Sequence, residues 1–189
     1  MGVIGKNFKY KLINNFLNKD EMKICLNYFK IKHCNNFGDQ IKFDNMTLGA
    51  TADYADSLSE SLLICKKKKL DQITGKKLLP TYSYWRMYTH LDELKKHSDR
   101  ESCEISVSVN FGSSGESWPL YMDDIPLETK PGDAVVYLGR DVSHYRKKFI
   151  GDWYCQAFLH YVDADGPFAE FNLDKRPNFG RPFNTEAYK

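Results

Sequence analysis

The sequence lacks the features that would place a protein in a membrane or on a nucleic acid. No stretch approaches the roughly 18 consecutive apolar residues of a membrane helix, and the N-terminus MGVIGKNFKYK has no apolar run of the signal-peptide kind. The formal net charge is only +2, without a basic stripe and interleaved aromatic residues. We therefore expect a soluble, cytoplasmic protein with neither a membrane nor a nucleic-acid partner. No pattern indicates an oligomeric state.

Cysteine is scarce and unpaired. The five cysteines are odd in number, widely spaced and never arranged as C-x-x-C, which argues against a disulfide framework and a zinc finger. They are predicted to be buried thiols: Cys25, Cys34, Cys65, Cys103 and Cys155. A chain of 189 residues with 42% hydrophobic and 28% charged residues fits one globular domain. Residues 1–189 are accordingly predicted to form a single domain.

Two amphipathic patterns in residues 1–79 predict helices. In residues 16–33, apolar side chains recur at helical spacing after an N-cap candidate, either Asn18 or Asp20. Residues 53–75 repeat the pattern and end on a Thr-Gly pair. Because amphipathic helices need an apolar surface to cover, residues 1–79 are predicted to be the helical support of a sheet.

Residues 80–162 show the period of two that is typical of strands. Alternation is clear in TYSYWRMY, residues 81–88, and in CEISVSVNF, residues 103–111, while residues 133–138 and 153–162 are apolar on both faces. One face of the first segment carries Tyr82, Tyr84, Arg86 and Tyr88. Short strands with turn signals and no intervening helices predict an antiparallel sandwich or barrel.

The last segment, residues 163–189, has no hydrophobic periodicity. It is rich in proline, glycine and asparagine and contains several phenylalanines. We expect an irregular tail that its phenylalanines pack across the surface, rather than a second domain.

Two His-x-Asp pairs compete as metal ligands. In extended backbone, residues i and i+2 project to the same side, so His97 and Asp99 could converge on one ion. His90 and Asp92 repeat the pattern seven residues earlier. The His90 pair falls in a predicted turn with solvated carboxylates, whereas His97 directly precedes a strong strand. The sequence therefore favours His97 and Asp99.

A third ligand must come from another histidine. Two histidines and one carboxylate form the ligand set of non-haem iron oxygenases. His144 follows the predicted strand DAVVYL, and His160 lies inside an apolar strand, where a core role is the ordinary expectation. From the residues alone, His144 is favoured and His160 stays open.

The order of these motifs resembles a known family. HSD at 97–99, a stretch of about 45 residues, PGDAVVYL and His144, then GDWYCQAFLHYV, are similar to the iron(II)- and 2-oxoglutarate-dependent dioxygenases of the prolyl 4-hydroxylase-like branch. The similarity covers roughly residues 80–162. It implies an α+β fold, in which a double-stranded β-helix (jelly-roll or cupin-like) core of antiparallel strands is backed by N-terminal helices.

The resemblance also implies chemistry. His97, Asp99 and His144 would be the catalytic metal ligands, with Fe(II) as metal and 2-oxoglutarate and O₂ as cosubstrates, and the reaction would release succinate and CO₂. Arg100, beside the aspartate, is expected to pair with Glu104 or to orient Asp99.

The chain departs from the family where the cosubstrate binds. Such enzymes usually hold the distal carboxylate with Arg or Lys about ten residues after the distal histidine, where this chain has Asp-Trp-Tyr at 152–154. A buried dicarboxylate still needs a compensating charge. The predicted substitutes are Tyr88, Arg86, Arg146 and Gln156, with the two arginines as equal candidates. Their structural alternatives are an ion pair for Arg86, a solvated loop charge for Arg146 and backbone hydrogen bonding for Gln156.

We therefore expect a dioxygenase that hydroxylates a C–H bond, with a prolyl or other peptidyl substrate. The alternatives are a free amino-acid hydroxylase acting on a small molecule and, from another class, a non-catalytic β-helix domain that binds a ligand or partner. Residues 34–53 and 112–124 are predicted to be loops at the barrel mouth and carry no readable specificity signal.

Overall fold

Two helices and ten strands make up the regular structure of residues 8–35 and 50–181, which the computed structural model describes. In chain order they are β1 (Tyr10–Ile13), α1 (Lys19–Asn35), β2 (Thr51–Tyr54), α2 (Ser57–Thr74), β3 (Leu78–Thr89), β4 (Leu94–His97), β5 (Ile105–Ser113), β6 (Leu120–Met122), β7 (Ile125–Leu127), β8 (Ala134–Leu138), β9 (His144–Arg146) and β10 (Trp153–Asp163). Short 3₁₀ segments lie at Glu101–Cys103 and Ala169–Lys175. Neither α1 nor α2 has the length and apolarity to cross a membrane.

The strands form two sheets, and their recorded pairings are antiparallel. The larger sheet has six strands in the order β1-β8-β5-β10-β3-β2, and the smaller has four in the order β4-β9-β6-β7. From β3 onward the chain alternates between them, with β3, β5, β8 and β10 in the larger sheet. This alternation generates a double-stranded β-helix, so the predicted fold class is confirmed.

The central strands of the larger sheet are buried on both faces, and their period of two separates apolar from polar side chains. The outward face packs against the helices in one core cluster, which includes Phe29, Leu63, Trp85, Met87, Val107, Val109 and Leu159. The inward face carries buried polar side chains, among them Arg86, Ser106, Ser108, Asn110, Gln156 and His160. The space between the sheets is therefore walled by polar groups.

The helix termini are capped as the sequence indicates. The side chain of Asn18 accepts hydrogen bonds from the backbone N–H groups of Asp20 and Glu21, both at 2.9 Å, while Glu21 accepts one from the Asn18 backbone. This reciprocal pair is a capping box. Helix α2 begins after Asp56 and ends at Gly75, which has a left-handed φ of 69°. Both predicted helices are thus confirmed.

Some expectations for the supporting region were wrong. The region also contributes β1 and β2, which form the two edge strands of the larger sheet. The sequence did not indicate them because a run of four residues is too short to show a period of two. Cys34 and Cys65 are exposed, since they lie on helix faces turned away from the sheet, and the other three cysteines are buried. Residues 36–49 of the predicted mouth loop, and residues 1–7 and 182–189, lie outside the described ranges.

A buried ion pair holds the segment after β10. Arg176, which is 8% exposed, donates to Glu60 at 3.1 Å and to the Thr81 carbonyl at 2.8 Å. Glu60 also accepts from the Ser83 backbone N–H at 2.9 Å. Phe179 is 42% exposed, so the expectation that the phenylalanines hold the tail was wrong at that position. The ion pair joins the tail to α2 and β3.

We expect Arg176→Met to lower the free energy of unfolding by about 3 kcal/mol, because it leaves the Glu60 carboxylate buried without its charge partner. Chemical denaturation measures the change. The control is Lys175→Met, which breaks an exposed pair with Glu170 and should change stability by less than about 0.5 kcal/mol. Equal effects of the two substitutions would contradict the anchoring role of Arg176.

Candidate metal centre

A cavity of about 340 Å³ opens between the two sheets. Its wall includes Tyr82, Tyr84, Arg86, His97, Asp99, Arg100, His144, Phe158 and His160. Both sheets contribute to this wall, so the cavity is a product of sheet closure. The inward-facing polar side chains described above therefore meet here.

Three candidate ligands converge on one side of the cavity. His97 at the end of β4 lies opposite His144 at the start of β9, and their ring centroids are 4.3 Å apart. Asp99 Oδ1 is 3.6 Å from His97 Nε2 and 3.5 Å from His144 Nε2. One donor atom from each residue lies within 4.8 Å of the other two. Strand register and His-x-Asp spacing together place the three side chains.

The other ring nitrogens fix the tautomer of both histidines. His97 Nδ1 lies 2.7 Å from the Lys95 carbonyl oxygen, and His144 Nδ1 lies 3.0 Å from the Val142 carbonyl oxygen. A carbonyl can only accept a hydrogen bond, so each Nδ1 carries the hydrogen. Both Nε2 atoms are then left for a metal, as is usual for histidine ligands.

Asp99 is ionised and held at its second oxygen. Burial would raise the pKa of Asp99, but its contacts with the His144 and His97 rings outweigh burial and hold the pKa well below its usual range. Asp99 Oδ2 accepts from Ser106 Oγ at 2.8 Å, and the Asp99 backbone N–H donates to the Gly139 carbonyl at 2.8 Å. Two imidazoles and one anchored carboxylate fit a divalent iron ion.

The second His-x-Asp pair, His90 and Asp92, makes local hydrogen bonds and does not lie at the candidate metal centre. His90 is exposed, and its Nδ1 lies 3.0 Å from the Ile150 carbonyl. Asp92 is buried, contrary to the expectation of a solvated carboxylate, and accepts from the Thr89 backbone N–H at 2.6 Å and hydroxyl at 3.0 Å. It therefore caps the turn after β3.

His160 is buried and hydrogen-bonded, as expected of a core histidine, and it also lines the cavity. Its Nδ1 is 2.9 Å from Ser106 Oγ, which in turn contacts Asp99. A signal was available, because His160 shares its strand face with Tyr154 and Gln156 at a period of two. A histidine at that period belongs to the same inward face as the other polar residues of β10.

The four predicted cosubstrate residues form one hydrogen-bonded network. Arg86 and Gln156, which are register partners on β3 and β10, each donate to the Tyr88 hydroxyl at 3.3 Å. The Gln156 side-chain oxygen accepts from Arg146 at 2.8 Å. Arg146 follows His144 by two residues on β9, so both point to the same side. Arg86 is among the residues that line the cavity.

Arg146 is a buried cation with neutral neighbours, not the solvated loop charge that was one alternative. It is 2% exposed, and its guanidinium donates to Gln156, to the Tyr154 hydroxyl and to the Trp118 carbonyl. The rings of Trp118 and Tyr154 lie 4.8 and 4.7 Å from its guanidinium carbon. These three acceptors are neutral, and among the described residues the Arg146 Nε has no hydrogen-bond partner. A buried charge in this setting favours an anionic ligand.

Arg100 behaves differently from the expectation. Instead of Glu104, it pairs with Asp174 of the tail at 2.8 Å, and its guanidinium lies 4.7 Å from the Tyr82 ring centroid. This ion pair draws the tail to the rim of the cavity beside Asp99. The sequence did not indicate this ion pair, because Arg100 and Asp174 are 74 residues apart and only the fold brings them together.

Comparison with known proteins gives fold similarity only. No family model and no curated protein sequence matches the chain. Among solved structures, the viral collagen prolyl hydroxylase of Paramecium Bursaria Chlorella virus-1, in its 2-oxoglutarate complex, is 11% identical with a TM-score of 0.61, covering 82% of this chain and 96% of that chain. EctD from S. alaskensis with bound Fe is 13% identical with a TM-score of 0.63, covering 85% and 76%.

A third similar structure is a prolyl hydroxylase from Trichoplax adhaerens, in complex with a hypoxia inducible factor oxygen degradation domain peptide fragment. It is 14% identical with a TM-score of 0.63, covering 83% of this chain and 84% of that chain. At such identities the likeness establishes the fold. The resemblance to prolyl hydroxylases that the motifs indicated is therefore confirmed as a resemblance of fold.

We expect Gly139→Ala to abolish metal binding. A Cβ atom at Gly139 would lie 2.5 Å from Asp99 Oδ2 and 2.7 Å from Ser106 Oγ, and closer still to the Cys103 carbonyl oxygen. The carboxylate must therefore move. Titration with Fe(II) or Co(II) measures the loss. The control is Gly115→Ala, which strains a backbone with a φ of 127° but brings the added Cβ within 4 Å of no heavy atom, so it should lower stability and leave metal binding intact. Unchanged metal affinity in Gly139→Ala would show that the close approach is not needed.

Proposed function

We propose that this protein is an iron(II)- and 2-oxoglutarate-dependent dioxygenase that hydroxylates a C–H bond. The observation that carries the proposal is the convergence of His97 Nε2 and His144 Nε2 on the ionised Asp99 carboxylate, with both tautomers set by backbone carbonyls. These three side chains would hold Fe(II). When bound, iron and 2-oxoglutarate supply O₂ activation, which yields succinate, CO₂ and a hydroxylated product.

The chain's own contribution is to hold the metal and to leave it accessible from the cavity. His97, Asp99 and His144 would supply two imidazole nitrogens and one carboxylate oxygen to a metal, and a ligand set of this type leaves positions open for cosubstrates. The Asp99 carboxylate offsets part of the metal charge. The His97 and His144 rings cannot turn away without losing their hydrogen bonds to backbone oxygens.

The distal carboxylate of 2-oxoglutarate is assigned to the network of Arg146, Gln156, Tyr88 and Arg86. Arg146 is the favoured anchor, since it is buried, charged, and surrounded by neutral partners. It lies on the strand of the metal ligand His144, two residues further on. Arg146 on β9 would thus replace the cation that residues 152–154 lack, and Gln156 on β10 would orient the Arg146 guanidinium.

A prolyl or other peptidyl group is the proposed substrate. The rings of Tyr82, Tyr84 and Phe158 in the cavity wall offer the aromatic surface on which a proline ring packs well. Two of the similar structures are prolyl hydroxylases, and one of these is bound to a peptide fragment. Their likeness supports this substrate class for the chain.

The first experiment tests metal and cosubstrate together. Fe(II) and 2-oxoglutarate are added to the protein without oxygen, and the visible charge-transfer band of the chelate is recorded. We expect the band in the wild type and its loss in Asp99→Ala, which lacks the anionic ligand. Asp124→Ala, which removes an exposed aspartate paired with Lys96, should keep the band. No band in the wild type, with iron bound, would favour a binding domain without 2-oxoglutarate chemistry.

Once the band is established, succinate release is measured with proline-containing peptides and, in parallel, with free amino acids. A peptidyl substrate should stimulate succinate formation well above the uncoupled rate. Stimulation by a free amino acid alone would replace the peptidyl substrate with a small-molecule one.

The two arginines can be separated by their effect on 2-oxoglutarate affinity. We expect Arg146→Met to raise the Kd of 2-oxoglutarate by about 10- to 100-fold, because charge-assisted hydrogen bonds of about 1.5 to 3 kcal/mol are lost. Arg140→Met, which removes an arginine that contacts Glu101 at 3.9 Å, should leave it unchanged. Titration of the charge-transfer band measures the Kd. A larger effect of Arg86→Met would make Arg86 the anchor instead.

A further inference from the structure

Behind the candidate metal centre, a buried hydrogen-bonded chain leads from the carboxylate ligand into the larger sheet. Ser106 Oγ is 2.8 Å from Asp99 Oδ2, and His160 Nδ1 is 2.9 Å from Ser106 Oγ. Ser106 is fully buried and His160 is 5% exposed. Ser106 thus holds the second oxygen of Asp99, while His160 has no role among the metal ligands or in the cosubstrate network.

The chemistry of the three groups sets the direction of the hydrogen bonds. An ionised carboxylate only accepts, so the Ser106 hydroxyl donates its one hydrogen to Asp99 Oδ2 at 2.8 Å rather than to the neutral Cys103 carbonyl oxygen at 3.3 Å. The serine oxygen can then accept from His160, whose Nδ1 must carry a hydrogen. A hydroxyl that accepts one hydrogen bond donates a stronger one.

The sheet holds this chain in place. Ser106 on β5 and His160 on β10 are register partners on adjacent strands in the interior of the larger sheet. The His160 ring lies against Tyr82, with centroids 4.5 Å apart, and parallel to Phe158 at 6.3 Å. A rotation of either side chain would break the hydrogen bond and disturb the packing. The Asp99 carboxylate is therefore tied to a rigid part of the fold.

We infer that Ser106 and His160 are a positioning pair for Asp99. They retain Oδ2 on the sheet side, so that Oδ1 alone faces His97 and His144. Without the pair, the Asp99 carboxylate could rotate and offer both of its oxygens to a metal. The second oxygen would then take a coordination position that a cosubstrate needs. The inference rests on the proposed metal centre, and hydrogen-bond partners of this kind typically contribute 10- to 100-fold to metal affinity.

The test uses Co(II) alone, with the full-length protein, so that it does not depend on turnover. Visible absorption during the titration reports both the Kd and the coordination of the ion. We expect Ser106→Ala and His160→Phe each to weaken Co(II) binding by about 10- to 100-fold and to change the band shape. His160→Asn, whose amide can place an N–H where Nδ1 stood, should recover most of the affinity.

Two controls separate positioning from general damage. Ser108→Ala removes the next inward-facing serine of β5, also buried, and should bind Co(II) like the wild type. The double variant Ser106→Ala/His160→Phe should bind no worse than Ser106→Ala, because the two residues act in series through one hydrogen bond to Asp99. Thermal unfolding without metal checks that each variant is folded.

The outcomes distinguish this inference from the proposed function. Failure of the wild type to bind Fe(II) or Co(II) would overturn the metal centre itself. Normal binding by Ser106→Ala would overturn the positioning pair while leaving the centre intact. Additive losses in the double variant, or no recovery in His160→Asn, would show that His160 acts by ring packing and would also overturn the inference.

Discussion

The structure of the site depends on one constraint, which is that the larger sheet is buried on both faces. Each of its central strands must therefore carry apolar side chains toward the helices and side chains suited to the space between the sheets on the other face. Helices α1 and α2 cover the apolar outward face. The inward face is polar, and polar groups in a closed space must find partners in one another. The two hydrogen-bonded networks between the sheets follow from this requirement, since Arg86, Gln156, Ser106 and His160 are all buried on that face.

Two buried charged side chains, Asp99 and Arg146, determine which ligands the space between the sheets can bind. The pKa of Asp99 stays low in spite of burial because His97, His144 and Ser106 surround its oxygens, and an ionised carboxylate suits a cation. Arg146 is the converse case, a buried cation among neutral acceptors, which suits an anion. The proposed reaction needs both signs, a metal at one point and a dicarboxylate between that metal and a cation.

The tail contributes a second kind of constraint. Its 3₁₀ segment contains left-handed residues at Leu173, Asp174 and Lys175, a conformation that non-glycine residues adopt only at a cost. The ion pairs of Asp174 with Arg100 and of Arg176 with Glu60 offset that cost. The rim of the cavity and the base of α2 are therefore joined by the same short segment.

Local patterns determined much of this protein from sequence by itself: the two capped helices, the alternating strands, and the pairing of His97 with Asp99, since each depends on residues close together in the chain. Tertiary structure alone decided the buried state of Arg146, the place of His160 beside Ser106, and the partner of Arg100. Each of these depends on which strands are neighbours and in which register, and contacts between residues far apart in the chain leave no periodic signal.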